Sequence, residues 1–247
     1  VNAADGPILN NGLDNTATGQ NVIVIGHKSV VGGENSTSIG TNTTADGINA
    51  LALGTDAKAK VTNPAAANSN KPANLIAIGT NAKSEAAETV AIGESAKASK
   101  HNANAFGSKA KAEGESSLAL GSGSYAKEDS SVAIGNDSNA TAKSSVALGE
   151  STNATAIFAT AVGDSATASG VRSFAAGLNS NAQSDDSIAI GANTSSTVRG
   201  ISIGAEASAY HQGISVGYKS NASGIGSIAT GVETSASGLS SIASGSN

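Results

Sequence analysis

The sequence predicts an all-β solenoid built from 14-residue coils, and three observations carry that prediction. A short apolar phrase ending in glycine recurs with its glycine at 26, 40, 54, 79, 93, 107, 121, 135, 149, 163, 177, 191, 204, 217, 231 and 245, in steps of fourteen apart from one of twenty-five and two of thirteen. A fixed period of this kind marks stacked supersecondary units. The composition, with three Phe, three Tyr and neither Trp nor Met in 247 residues, cannot fill a thick core of large side chains. Each repeat also contains two stretches of period-two alternation, the mark of short strands. Thirty glycines and abundant Ala, Ser, Asn and Thr do not read as disorder here, because Val, Ile and Leu recur in register.

Taken in order, residues 1–21 read as an N-terminal cap and a degenerate first coil, with Gly12 fourteen before Gly26. Residues 22–247 read as the repeat body, with an inserted loop at about 61–73. Within a coil the residues one and three before the glycine are large and β-branched or Leu: Val90 and Ile92, Leu118 and Leu120, Val132 and Ile134, Val146 and Leu148, Ile188 and Ile190. That is the first strand, and the large residues are expected to fill the interior of the roll. The turn glycines, among them Gly93, Gly121, Gly135, Gly149, Gly163 and Gly191, close this strand where positive φ or close backbone approach is needed. Three and five residues further on the chain is small, as in Ser138 and Ala140, with a polar or long residue between. That reads as a second strand with a small inner face and a wet outer one, stacked on its neighbours at about 4.8 Å per coil.

The other face of the first strand carries Ala91, Ala119, Ala133, Ala147, Ala161, Ala175 and Ala189, with Ser two residues before several of them. A small-residue column of this kind is expected to face neighbouring chains, since closed oligomers form where backbones approach closely. The pattern does not set the number of chains.

The phrase Ser-Val-Ala-Ile-Gly at 131–135, followed by Ser138 and repeated at fourteen-residue spacing, resembles the head domain of trimeric autotransporter adhesins of the YadA type. The resemblance covers roughly residues 8 to 247. It implies a left-handed parallel β-roll assembled as a homotrimer, displayed on a stalk anchored in a Gram-negative outer membrane. It further implies partners among host matrix proteins (collagen, fibronectin, laminin) or cell-surface receptors, a role in virulence, and in some members autoagglutination. The collagen-binding member favours Asn immediately before the phrase. Here Asn stands there at Asn21, Asn35, Asn49, Asn74 and Asn102, but Ser130, Ser144, Arg172 and Asp186 replace it later. Residue 247 is still in register and no charged-then-apolar leader precedes the first coil, so the sequence reads as a head excised from a longer protein.

Departures from the repeat are where a ligand would find something distinctive. The twenty-five-residue step adds eleven residues within 61–73, and the candidate loop positions are Asn63, Pro64, Asn68, Asn70, Lys71 and Pro72. Proline cannot donate to a ladder, so this stretch should leave the roll. A candidate ligand-binding ridge follows from the outward position of the second strand, which is Lys58, Lys83, Lys97 and Lys111 in consecutive coils and then Tyr125.

Other function classes find no support. The net charge of −5 and the lack of a basic patch with interleaved aromatics argue against nucleic-acid binding. No cysteine is present, so thiol chemistry and thiolate metal sites are excluded. His27, His101 and His211 are isolated in sequence, and no nucleophile elbow, phosphate loop or calcium-binding nonapeptide occurs. No cofactor and no enzymatic activity are expected. Hexapeptide-repeat acyltransferases share a helical β architecture, but fourteen is not a multiple of six. An ice-binding solenoid, or a purely structural spacer, is the alternative reading, yet a flat threonine array is missing from the outward position. No stretch of about twenty apolar residues could cross a membrane as a helix.

Overall fold

Residues 131–144 make one coil and show how the chain closes it. Val132–Ile134 forms the first strand. Gly135 follows at φ 131° and Asp137 at φ 51°. Asn139–Ala140 forms the second strand, and Ser144, at φ 54°, delivers the chain to the next first strand at Val146–Leu148. Two non-glycine residues per coil are thus in the left-handed region. Asn and Asp, which tolerate that region best of the non-glycine residues, are accordingly frequent at these positions.

The computed structural model describes residues 8–62 and 73–246. It is a parallel β-solenoid in which each strand pairs with its counterpart one coil on, and no helix occurs among the described residues. The chain divides into two units, 1–129 and 130–247. In the first, one sheet runs from Ile8–Asn11 to Leu118–Leu120 and a second from Thr16–Ala17 to Tyr125–Ala126. In the second, the corresponding sheets run from Val132–Ile134 to Ile242–Ser244 and from Asn139–Ala140 to Ser235–Ala236. The turns stack as well as the strands: Ser151 N–H donates to Asn136 O at 2.9 Å and Gly149 N–H to Ile134 O at 2.8 Å.

The structure reverses the expected facing of the first strand. Ala91, Ala119, Ala133, Ala147, Ala161, Ala175 and Ala189 are all 0% exposed and line the roll interior, not a surface between chains. Val90, Ile92, Leu118, Leu120, Val132, Ile134, Val146, Leu148, Ile188 and Ile190 point the other way, partly or largely exposed. The reason is width. The short link between the strands, residues 135–138 in the coil of 131–144, leaves little of the roughly 10 Å separation that facing large side chains require. Among the described residues, larger apolar side chains are buried only in the early coils and after the insertion, at Val22, Val24, Val31 and Leu75. In the second unit every buried side chain is Ala, Ser or Thr.

The hydroxyls hold this thin interior together. Ser145 Oγ donates to Ala142 O at 2.6 Å and Ser187 Oγ to Ser184 O at 2.6 Å, at one corner of the coil. Ser138 Oγ donates to Gly135 O at 3.1 Å and Ser180 Oγ to Gly177 O at 3.0 Å, at the other. Each bond satisfies the buried hydroxyl itself at a turn carbonyl, and at Ala142, Ser184 and Gly177 that carbonyl also accepts the serine's own backbone N–H. A buried hydroxyl left unpaired would cost about 1–3 kcal/mol. Inward Ser at these corners and outward Val or Ile are therefore one decision.

Gly135 is required on two counts. Its φ of 131° is a region essentially confined to glycine, and a Cβ there would lie 2.2 Å from Gly149 O in the next coil. The other anticipated turn glycines, Gly93, Gly121, Gly149, Gly163 and Gly191, have φ between 123° and 136°.

The irregular coils keep the stack by local compensation. Across the insertion Leu51 pairs with Ile76 and Leu53 with Ile78, and Lys58 pairs with Lys83, so no strand is lost. On either side of the insertion Thr62 N–H donates to Glu85 O and Ala73 N–H donates to Ile48 O. Leu75 is fully buried where most coils place Ser or Ala. It occupies space left by Gly47, where a Cβ would come within 2.9 Å of Leu75 Cδ1. The loop positions Asn63, Pro64, Asn68, Asn70, Lys71 and Pro72 lie outside the described residues. The two thirteen-residue steps drop one turn residue each, and the inner corner then becomes Gly200 or Gly213. A Cβ there would meet Thr197 O at 2.9 Å or Tyr210 O at 2.6 Å.

Candidate functional site

Because the interior is closed and small, chemistry and recognition are left to the outward columns. The first-strand sheet presents two adjacent apolar columns. In the first unit they run Ile76, Val90, Asn104, Leu118 and Ile78, Ile92, Phe106, Leu120 in parallel register. In the second they include Ile188, Ile201, Ile214 and Ile228 beside Ile190, Ile203 and Val216. Exposure reaches 43% at Leu120, 39% at Ile203 and 38% at Val216. Large apolar side chains on most successive strands, interrupted at Asn104, Thr160, Ala176 and Thr230, form a patch of the kind that marks interaction surfaces rather than ordinary scattered apolar exposure.

The second-strand sheet of the first unit presents charge instead. Lys58, Lys83, Lys97, Lys111 and Tyr125 occupy five consecutive coils side by side. Lys97 Nζ lies 3.6 Å from Glu85 Oε2 and 3.9 Å from Glu113 Oε1, carboxylates two positions along on the neighbouring coils. Tyr125 donates its hydroxyl to Glu113 Oε2 at 2.8 Å, and Lys111 Nζ stands 5.8 Å from the Tyr125 ring centre. Burial, the hydrogen bond to Glu113 and the charges of Glu113 and Glu128 push the Tyr125 phenol up to about 12. Lys58, Lys83 and Lys111 are exposed. A separate pair in this sheet joins Lys60 to Asp46 at 2.9 Å.

A third column is the residue before each phrase, read in the sequence for its asparagines but not for the bonds between coils that it makes. The left-handed residue before each phrase forms an asparagine ladder in the first unit: Asn21 Nδ2 donates to Asn35 Oδ1 at 3.1 Å, Asn35 to Asn49 at 3.5 Å, and Asn49 to Asn74 at 3.0 Å across the insertion. In the second unit the same column carries Arg172, whose Nε and Nη2 donate to Asp186 at 2.7 and 3.0 Å. That hydrogen bond holds the Asp186 carboxyl below the usual carboxylate range. His101, isolated in sequence, stands 3.5 Å from Glu88 of the preceding coil. Only the stacking brings these partners together.

Among the described residues no group of three or more His, Cys, Asp or Glu could hold a metal ion, and no helix is long and apolar enough to cross a membrane. The outward columns can therefore be compared with known proteins as recognition surfaces. No curated protein matches the chain. The family model for the YadA head domain repeat (2 copies) does, in overlapping segments that together span 17–63, 76–194 and 211–247. These segments cover most of both units and carry the glycine-ended phrases that form the first strands. The chain belongs to the YadA head repeat family, whose members are adhesin heads.

Proposed function

We propose that this chain is the head of a bacterial surface adhesin, a left-handed roll that works as a homotrimer and attaches the cell to host matrix proteins or cell receptors. Its family supports display on the surface of a Gram-negative bacterium, at the tip of a stalk anchored in the outer membrane. The single observation that carries the assembly is the exposed strip of Val, Ile and Leu on the first-strand sheet. Covering one half-exposed Val, Leu or Ile contributes about 1 kcal/mol. Roughly ten of them then offset most of the ~4–15 kcal/mol that association costs. A second copy of the same strip is the complement that closed symmetry provides.

The expected mass in sedimentation is three times that of the chain. Ile190→Lys with Ile203→Lys places two charges in the strip and should release single chains. A wild-type chain that sediments alone, with native circular dichroism, sinks the trimer. Immobilised collagen, fibronectin and laminin, together with agglutination of cells displaying the head, test the adhesive role; retention by none of them and no agglutination would remove it.

A further inference from the structure

We propose that the lysine-bearing second-strand face of the first unit is a docking strip for a linear sulfated polysaccharide. This deepens the adhesin reading, on which it rests for its biological setting, by naming a ligand class. Four ammonium groups lie on directly adjacent parallel strands, Lys58 beside Lys83, Lys83 beside Lys97 and Lys97 beside Lys111. The strands that carry them are about 4.8 Å apart along the stack. Like charges in direct cross-strand opposition are destabilising.

The fold does not require this arrangement. In the second unit the same column holds Asn139, Asn153, Thr167 and Asn181, then Ser195, Ser208 and Asn221. There Asn139 Nδ2 reaches Asn153 Oδ1 at 3.3 Å, a neutral contact between coils. The first unit accepts repulsion where a favourable alternative was at hand.

Internal compensation is partial and concentrated on one lysine. Glu85 and Glu113 flank Lys97, and Glu113 is also held by the Tyr125 hydroxyl. Lys58, Lys83 and Lys111 remain exposed on either side of that braced centre. The residue following each lysine of the strip is turned inward: Ala59, Ser84, Ala98 and Ala112 are all 0% exposed. A row of cations on four successive strands, about 14 Å from the first strand to the last, matches an extended chain carrying regularly repeated sulfates. Single-stranded nucleic acid would need aromatic platforms at successive positions, and the column supplies only Tyr125.

The test uses the assembled wild-type head and heparin as the probe, measured by titration calorimetry at low and moderate salt. Replacing Lys58, Lys83, Lys97 and Lys111 together with Ser should weaken heparin binding at least tenfold. A control with the same charge change elsewhere, Lys28, Lys109, Lys143 and Lys219 to Ser, should change it less than threefold. Desulfated heparin should not bind. The proposal is overturned if the ridge variant binds as wild type does, if the control loses as much, or if a single-stranded oligonucleotide of equal charge binds as tightly as heparin. Sedimentation of the ridge variant keeps the readings apart: an unchanged mass with lost heparin binding supports the strip. Failure of the trimer or of matrix adhesion appears in mass and in the matrix panel, not in the heparin titration.

Discussion

Both units are lined mainly by Ala and Ser, with Val22, Val24, Val31 and Leu75 buried as well in the first, and they differ far more on their surfaces. Inside, Ala91 and Ala119 of the first unit and Ala147 and Ala189 of the second are equally closed, and serine hydroxyls meet turn carbonyls in both, as Ser117 does with Gly114 and Ser187 with Ser184. Outside, the first unit carries a lysine column and an asparagine ladder. The second carries neutral side chains in the first of these columns and, in the turn that precedes each phrase, Phe158, Arg172, Asp186 and Arg199. The interior is constrained at every coil because each Cβ abuts the next coil. The outward columns are free to diverge because a change there alters only contacts between surface neighbours. Function can therefore change coil by coil without disturbing the fold.

The largest expected effect tests the shared part. Gly135→Val in the second unit and Gly93→Val in the first each place a side chain against the carbonyl of the following coil, at 2.2 and 2.3 Å for the Cβ alone. Backbone strain and overpacking together should lower stability by about 3 kcal/mol or more. Thermal unfolding followed by circular dichroism should show similar losses for the two variants. A loss confined to one unit would mean that the interiors are not equivalent.

Much of this architecture was legible in the residues. The period, the two strands per coil, the glycine turns and the preserved stack across the twenty-five-residue step all follow from spacing. The facing of the first strand did not. Alternation at period two separates Ala133 from Val132 and Ile134 but does not say which side is covered, and the habit of placing large apolar residues inside fails where another chain is expected to cover them. A better signal lay in the four smallest positions of the coil. Ser131, Ala133, Ser138 and Ala140 form a matched set that fits a space only wide enough for methyls and hydroxyls. The asparagine ladder and the Arg172–Asp186 pair required knowing that residues fourteen or twenty-five apart stack.

A smaller effect probes the divergent turn column. Phe158 is 57% exposed and has φ 59°, a conformation rarely adopted by bulky residues. Asn stands in that column in the first unit, so Phe158→Asn should relieve about 1 kcal/mol of left-handed strain and raise the melting midpoint by roughly 2–4 °C. A lowered midpoint instead would show that the exposed ring is covered by a neighbouring chain, and the turn columns of the two units would then differ in purpose as well as in composition.

The smallest effect concerns the end of the lysine column. Tyr125 titrates near 12 in the folded chain, above its ordinary value of 10.0, because of its burial and its bond to Glu113. A raised folded value favours the protonated phenol. Between pH 10 and 12 the unfolded chain loses that proton while the folded one keeps it, so the phenol's contribution is present below pH 10 and disappears as pH rises through 12. Solvent screening at this half-buried site keeps the effect below about 1 kcal/mol. Melting midpoints of wild type and Tyr125→Phe, compared from pH 9 to 12, should converge or cross as the wild type loses ground. Any pH dependence common to both proteins cancels from the difference, so parallel curves would remove the Glu113 bond from the account.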